Sequence, residues 1–152
     1  MLLKLGATVA LGVVMLTMRK VTSVQHRFWQ ADVGIQSLTV EPANGELRAR
    51  VVIYSGMDDP SRGVRVEVLL PLGTSVLRMP PGCRVGADTG VGDQVRGRIS
   101  CELGTLRVRE RRELDLGITV PAPGVVKSVA AFVSSESPDP RPGDNYLVKL
   151  VP

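Results

Sequence analysis

Aromatic side chains are scarce: Phe, Tyr and Trp together make up 3% of the 152 residues. A platform on which bases could stack is therefore missing, and any core must be built from aliphatic residues. There is one histidine, His26, so imidazole can supply neither a proton relay nor a metal cluster, and it reads as a solvated linker residue. No P-loop, GxSxG, HExxH or CxxC pattern occurs, and the acids are scattered over turns and strand exteriors. No nucleophile with a base and no converging carboxylate pair emerges, so no catalytic residue and no small-molecule substrate are expected.

Net charge is also absent where it would matter. The chain carries +4, but Lys4, Arg19, Lys20 and Arg27 precede every acid, leaving 15 basic against 15 acidic residues from Phe28 onward. A neutral body lacks the phosphate-neutralising patch of a nucleic-acid binder, and no nucleic-acid partner is expected.

What is present begins with a hydrophobic stretch. Leu5 to Met18 holds no charge and no proline; as a helix its roughly 14 residues reach about 21 Å, short of the roughly 30 Å hydrocarbon core. Leu2, Leu3 and a snorkelling Lys4 lengthen it. Arg19 and Lys20 follow, and only the weak Val21-Thr22-Ser23 stands where a cleavage site would be, so an uncleaved signal anchor is expected ahead of a cleaved signal or a helix packed in an assembly. Residues 1–20 are thus a hydrophobic signal or anchor segment and residues 21–31 a linker, whose Phe28-Trp29 either sits at a membrane interface or packs under the domain.

From residue 32 to 152 the period becomes 2. Leu47, Ala49, Val51 and Ile53 share one face, and Glu46, Arg48, Arg50 and Tyr54 the other. Val64, Val66, Val68 and Leu70 repeat the pattern, as do Val95, Ile99, Cys101 and Leu103, so Cys101 points into the core. Val125 to Ser134 is apolar on both faces, as in a central strand, and Tyr146 to Val151 closes the domain. Gly/Pro/Asn turns separate these runs. The reading is all-β: an antiparallel, immunoglobulin-like β-sandwich of about seven strands, preceded by the N-terminal hydrophobic helix.

Two features carry chemistry. Thr105 to Val120 reads as strand, and Arg107, Arg109 and Arg111, spaced by two, form a candidate interaction surface for an anionic glycan or lipid. Interleaved Glu110, Glu113 and Asp115 favour instead a solvated edge strand whose charges block pairing. Loop carboxylates and amides at Asp58-Asp59, Asp88/Asp93 and Asp139/Asp144/Asn145 are the oxygen ligands calcium takes, but none has a fixed-spacing motif. Ordinary turn chemistry accounts for them, and neither metal nor cofactor is expected. Cys83 and Cys101 are too few for a zinc site and are either bridged or free. If the hydrophobic leader directs export, a bridge is expected, stabilising by about 3 kcal/mol in the chain-entropy model.

The order of motifs resembles the DUF11 repeat domain, a prokaryotic surface-protein module with an immunoglobulin-like fold. The resemblance rests on Ala31-Asp32-Val33, Tyr54-Ser55-Gly56, Leu70-Pro71-Leu72-Gly73, Cys101-Glu102-Leu103-Gly104-Thr105-Leu106 and the Pro138 to Asn145 turn. Together these span roughly residues 32–151, nearly the whole folded part. The usual Asn-x-Gly-Pro turn is replaced by Ser55-Gly56-Met57-Asp58-Asp59-Pro60, and there is one copy where tandem copies are common. The resemblance implies that the first cysteine follows the strand ending at Leu70-Pro71, making the bridge a staple between two parts of the sandwich. It also implies a non-enzymatic module of the cell surface or envelope. In that reading the module is anchored through its N-terminal segment with the β-domain extracytoplasmic, or secreted if that segment is cleaved. It would serve adhesion, display or binding to a protein partner. The alternative is a self-assembling subunit of a filament, shell or surface layer with the N-terminal helix in the assembly core.

Overall fold

The computed structural model describes residues 30–56, 59–86, 97–121 and 128–151. The hydrophobic segment, most of the linker with His26 and Trp29, and the loop acids Asp58, Asp88 and Asp93 lie outside the described residues. No helix among the described residues is long and apolar enough to cross a membrane.

Among the described residues, nine strands form two antiparallel sheets. They are β1 (Val33–Ala43), β2 (Glu46–Ser55), β3 (Ser61–Leu69), β4 (Val76–Arg78), β5 (Cys83–Val85), β6 (Arg98–Leu106), β7 (Arg111–Ile118), β8 (Ser128–Ser134) and β9 (Tyr146–Leu150). One sheet runs β1-β2-β7-β4 and the other β5-β6-β3-β8-β9. The count exceeds the expected seven because β4 and β5, three residues each, follow the turns at Leu72-Gly73 and Pro81-Gly82 and are too short to show an alternating period.

The core lies between the sheets and follows the alternation. From one sheet Leu47, Ala49, Val51, Ile53, Leu114, Leu116 and Ile118 are buried; from the other Val64, Val66, Val68, Ile99, Cys101, Leu106, Val129, Ala131 and Val133 are. Each fully buried Val, Leu or Ile contributes about 1.5–3 kcal/mol, so aliphatic packing supplies the core of a domain this poor in aromatics. On the outer faces, charges pair across strands, as in Arg48–Asp115, Arg50–Glu113 and Arg98–Glu67. The Arg48 hydrogen bond is the main reason the Asp115 carboxyl ionises below its usual range.

Among the irregularities at one end of the sandwich, two bear on the side chains gathered there. In β1, Val33 and Ile35 point inward, and so do Leu38 and Val40, although the two pairs differ in parity. A bulge reconciles them: Ile35 pairs with Ile53 and Ser37 with Val52, leaving Gln36 as the extra residue. The second irregularity corrects the expected strand from Thr105 to Val120. The chain turns at residues 107–110, between β6 and β7, and β7 is no edge but is flanked by β2 and β4. The Arg-x-Arg spacing that suggested one strand face spans a tight turn and the start of the next strand.

Cys83 and Cys101 are bonded. They face each other directly in the β5–β6 register with Cα atoms 4.0 Å apart, so the staple ties two neighbouring strands of one sheet and does not join separate parts of the sandwich. It secures β5, which has only three residues of pairing of its own.

Candidate functional site

One end of the sandwich gathers residues from four distant parts of the chain. Main-chain bonds lace it together: the Gly56 N–H donates to the Asp32 carbonyl at 2.6 Å, the Ala31 N–H to Pro138 at 3.2 Å, the Ser55 N–H to Glu110 at 2.9 Å and the Arg109 N–H to Gly56 at 3.0 Å. The entry to β1, the end of β2, the β6–β7 turn and the β8–β9 connection therefore meet here.

The β8–β9 connection contains a short 3-10 turn, Pro142–Asp144, and brings three carboxylates close: oxygens of Asp32, Asp139 and Asp144 lie within 4.8 Å of one another. Asp32 is 2% exposed. A buried carboxylate needs a counter-ion, and Arg141 supplies it through one guanidinium nitrogen to Oδ2. That contact is also the principal reason the Arg141 pKa lies above its usual value. Asp139 accepts from the Arg141 N–H and from Asn145 Nδ2, each at 2.8 Å. The Tyr54 hydroxyl donates to Asp144. Burial first, and then that hydrogen bond, push the Tyr54 phenol up to about 12, so it stays a neutral donor through the physiological range. Asp32 Oδ1, Asp144 Oδ1 and Asn145 Oδ1 are buried without a donor among the described residues. They are acceptors of the hard-oxygen type, beside a guanidinium that already serves as cation.

Tyr54 lies over Gly34, its cross-strand partner: a β-carbon on Gly34 would sit 2.7 Å from the ring. On the other side Tyr54 pairs with Arg111. Beyond this row opens a cleft of about 600 Å³. Arg109, Arg111 and Arg141 line it, with Gln36, Tyr54 and the Ser55-Gly56 chain between them and Asp32 at its base.

Of the three arginines singled out by spacing, two therefore reach the cleft. Arg107 does not; it borders a neighbouring depression with Thr105, Val108, Glu110 and Arg112, and Arg109 lines that depression as well as the cleft. Glu110 is already engaged by the Arg107 N–H and by Arg112 Nε, both at 2.7 Å, which hold its carboxyl below the usual range, the Arg107 bond most of all. Among the described residues, Arg109 and Arg111 have no carboxylate partner. Arg109 also holds its backbone in the left-handed region, φ 61°, a rare state for a bulky side chain.

Spacing alone missed Gln36, Tyr54 and Arg141. The parity break in Val33-Gly34-Ile35-Gln36-Ser37-Leu38-Thr39-Val40 marks the bulge that re-aims Gln36, and it is readable in the chain. Nothing local signals that Arg141 returns to Asp32, more than a hundred positions away.

No family model matches the chain, and neither does any curated sequence. Among solved structures, the chitin-binding domain of Chi18aC from Streptomyces coelicolor is similar with a TM-score of 0.41 and 15% identity, over 73% of this chain and 96% of that one. The GH20 exo-β-N-acetylglucosaminidase of Vibrio harveyi is similar with a TM-score of 0.33 and 11% identity, over 80% of this chain. This chain spans 17% of that enzyme's length. Likeness of this degree fixes neither ligand nor activity.

Proposed function

We propose that the chain is a non-enzymatic binding module of the cell envelope, an immunoglobulin-like sandwich of DUF11 type held at the membrane by its N-terminal segment, which takes an extended segment of a protein partner along β9. The strand order supports the immunoglobulin-like assignment: β1, β2, β7 and β4 stand where strands A, B, E and D do, and β3, β8 and β9 where C, F and G do. The disulfide and the apolar leader support an oxidising, extracytoplasmic address.

The observation that carries the binding role is the state of the four sheet edges. Three are blunted: β1 has a bulge and Pro42, and β4 and β5 are three residues long, β5 stapled as well. The β9 edge is neither bulged nor interrupted by proline, and Lys149 is its sole charge. Its outward residues Tyr146, Val148 and Leu150 are 49%, 46% and 69% exposed, and the ring of Phe132 on β8, 37% exposed, lies 4.8 Å from that of Tyr146. Free main-chain groups beside alternating apolar side chains are what strand addition uses: backbone for affinity, pockets for specificity.

A photo-crosslinking residue at Val148 of the full chain, in its native cells, should give one discrete adduct with a different protein. The same residue at Arg65, on the charged half of that sheet, should give none. An adduct between two copies would replace this reading with the self-assembling subunit. No adduct at Val148, or equal labelling from Arg65, would overturn it.

A further inference from the structure

We infer that the cleft at the β1 and β2 end is a binding site for a carboxylate-bearing saccharide. None of the apolar β9 residues lines it, so the site stands apart from the edge proposed for a protein partner.

Three observations converge. First, two of the backbone exceptions at this end bring side chains to the same space. The bulge places Gln36 there and the left-handed turn places Arg109 there. Bulges and left-handed non-glycine residues cost stability and concentrate where a side chain has to be re-aimed. Second, the positive charge is not neutralised. Arg141 is engaged by Asp32, whereas Arg109 and Arg111 have no carboxylate partner among the described residues, so the lining carries two uncompensated guanidinium groups. Third, the volume of about 600 Å³ falls within the range of small-ligand sites.

The chemistry of the lining selects the ligand class. A guanidinium binds a carboxylate through two parallel N–H donors. Gln36 is exposed, with both amide functions open to a hydroxyl. The Tyr54 proton is committed to Asp144, which leaves the phenolic oxygen as an acceptor for a ligand O–H. Neutral donors and acceptors interleaved with two cations suit a sugar acid, whose hydroxyls need partners as much as its carboxylate does. A lipid phosphate alone would leave the Gln36 amide and the Tyr54 oxygen without partners, whereas the hydroxyls of a sugar acid engage both.

The test is calorimetric titration of the full chain in detergent, at low salt, with trigalacturonate. Binding is expected, and Arg111→Ala and Arg109→Gly should each weaken it about tenfold or more. Gln36→Ala should weaken it by a smaller factor and Arg107→Ala, outside the cleft, not at all. The carboxyl-reduced trisaccharide should not bind. Urea unfolding of each variant verifies that it is folded at the titration temperature. Absence of binding at millimolar trigalacturonate, equal binding of the reduced sugar, or equal loss in Arg107→Ala would overturn the proposal. So would Arg109- and Arg111-dependent binding to phosphatidylglycerol vesicles without binding of the sugar.

Discussion

The β9 edge and the arginine cleft are built by opposite means. β9 is regular: outward residues alternate without interruption and the register with β8 has no shift from Ser128↔Leu150 to Phe132↔Tyr146. The cleft is made of exceptions, namely a bulge, a left-handed arginine, a tyrosine laid over a glycine and an arginine returning to a buried acid. A regular edge offers the same main-chain groups at every step and suits a partner recognised by its backbone. A set of exceptions fixes particular atoms in particular places and suits a ligand recognised group by group. The contrast can be attacked from the cleft side, where each exception has a separate energetic signature.

The largest effect should come from deleting Gln36, and it should fall on the cleft, not on the fold. With the extra residue gone, Val33/Ile35 and Leu38/Val40 share one parity, so β1 can pair with β2 as a regular strand with all four facing the core. Stability should then stay within about 1 kcal/mol of the parent, while binding of the sugar acid weakens more than in Gln36→Ala, which keeps the bulge. Urea unfolding and calorimetric titration of both variants measure the difference. A destabilisation of about 3 kcal/mol or more would mean that the bulge contributes to the fold itself.

Next in size is Gly34→Ala. Its β-carbon would meet the Tyr54 ring at 2.7 Å, so the ring must swing off and release Asp144. Overpacking of this kind costs about 1–3 kcal/mol. The phenol reports the event. Its folded pKa is raised to about 12, so its contribution to stability is complete below its unfolded value and is lost as pH rises through the folded one. The unfolding midpoint of the parent should therefore fall more steeply between about pH 10 and about 12 than that of Tyr54→Phe. Gly34→Ala should resemble Tyr54→Phe, and ultraviolet titration should show its phenol moving back toward the ordinary range. A parent profile that coincides with Tyr54→Phe would break the claim that this ring is held in place.

The same contrast separates what was legible in the sequence from what was not. Long strands of period 2 announced themselves: the faces of β2, β3 and the end of β7 came out as read, and Cys101 is in the core. The run from Val125 to Ser134 was read as a central strand; its described part, β8, is an interior strand between β3 and β9, with Phe132 and Ser134 exposed on its outer face. Failures sit where the period breaks. Arg107, Arg109 and Arg111 looked like one face because a turn between strands can preserve a spacing of two. β4 and β5 were too short to carry a pattern. The cleft depends on contacts such as Arg141 to Asp32 and Tyr54 to Asp144, whose partners are set by topology and not by neighbours in sequence. The resemblance motifs at Asp32, Tyr54-Ser55-Gly56 and Arg141 to Asn145 nevertheless meet at this one end of the molecule.

The smallest expected effect is the most discriminating. At φ 61° the Arg109 backbone is strained by its β-carbon: the left-handed region costs an L-residue roughly 1–2 kcal/mol, while glycine forfeits roughly 0.5–1 kcal/mol through its freer unfolded chain. Arg109→Gly should therefore stabilise the domain by about 0.5–1 kcal/mol, and Arg107→Ala in the same turn should change it by less than about 0.5 kcal/mol. A gain in stability on removing Arg109, together with weaker binding of the sugar acid, would mean that the turn gives up folding energy to present this guanidinium. A loss of stability would mean that the side chain contributes to the fold itself, and the cleft would then be one more packed corner of the sandwich. Urea unfolding of Arg109→Gly, compared with Arg107→Ala, separates the two.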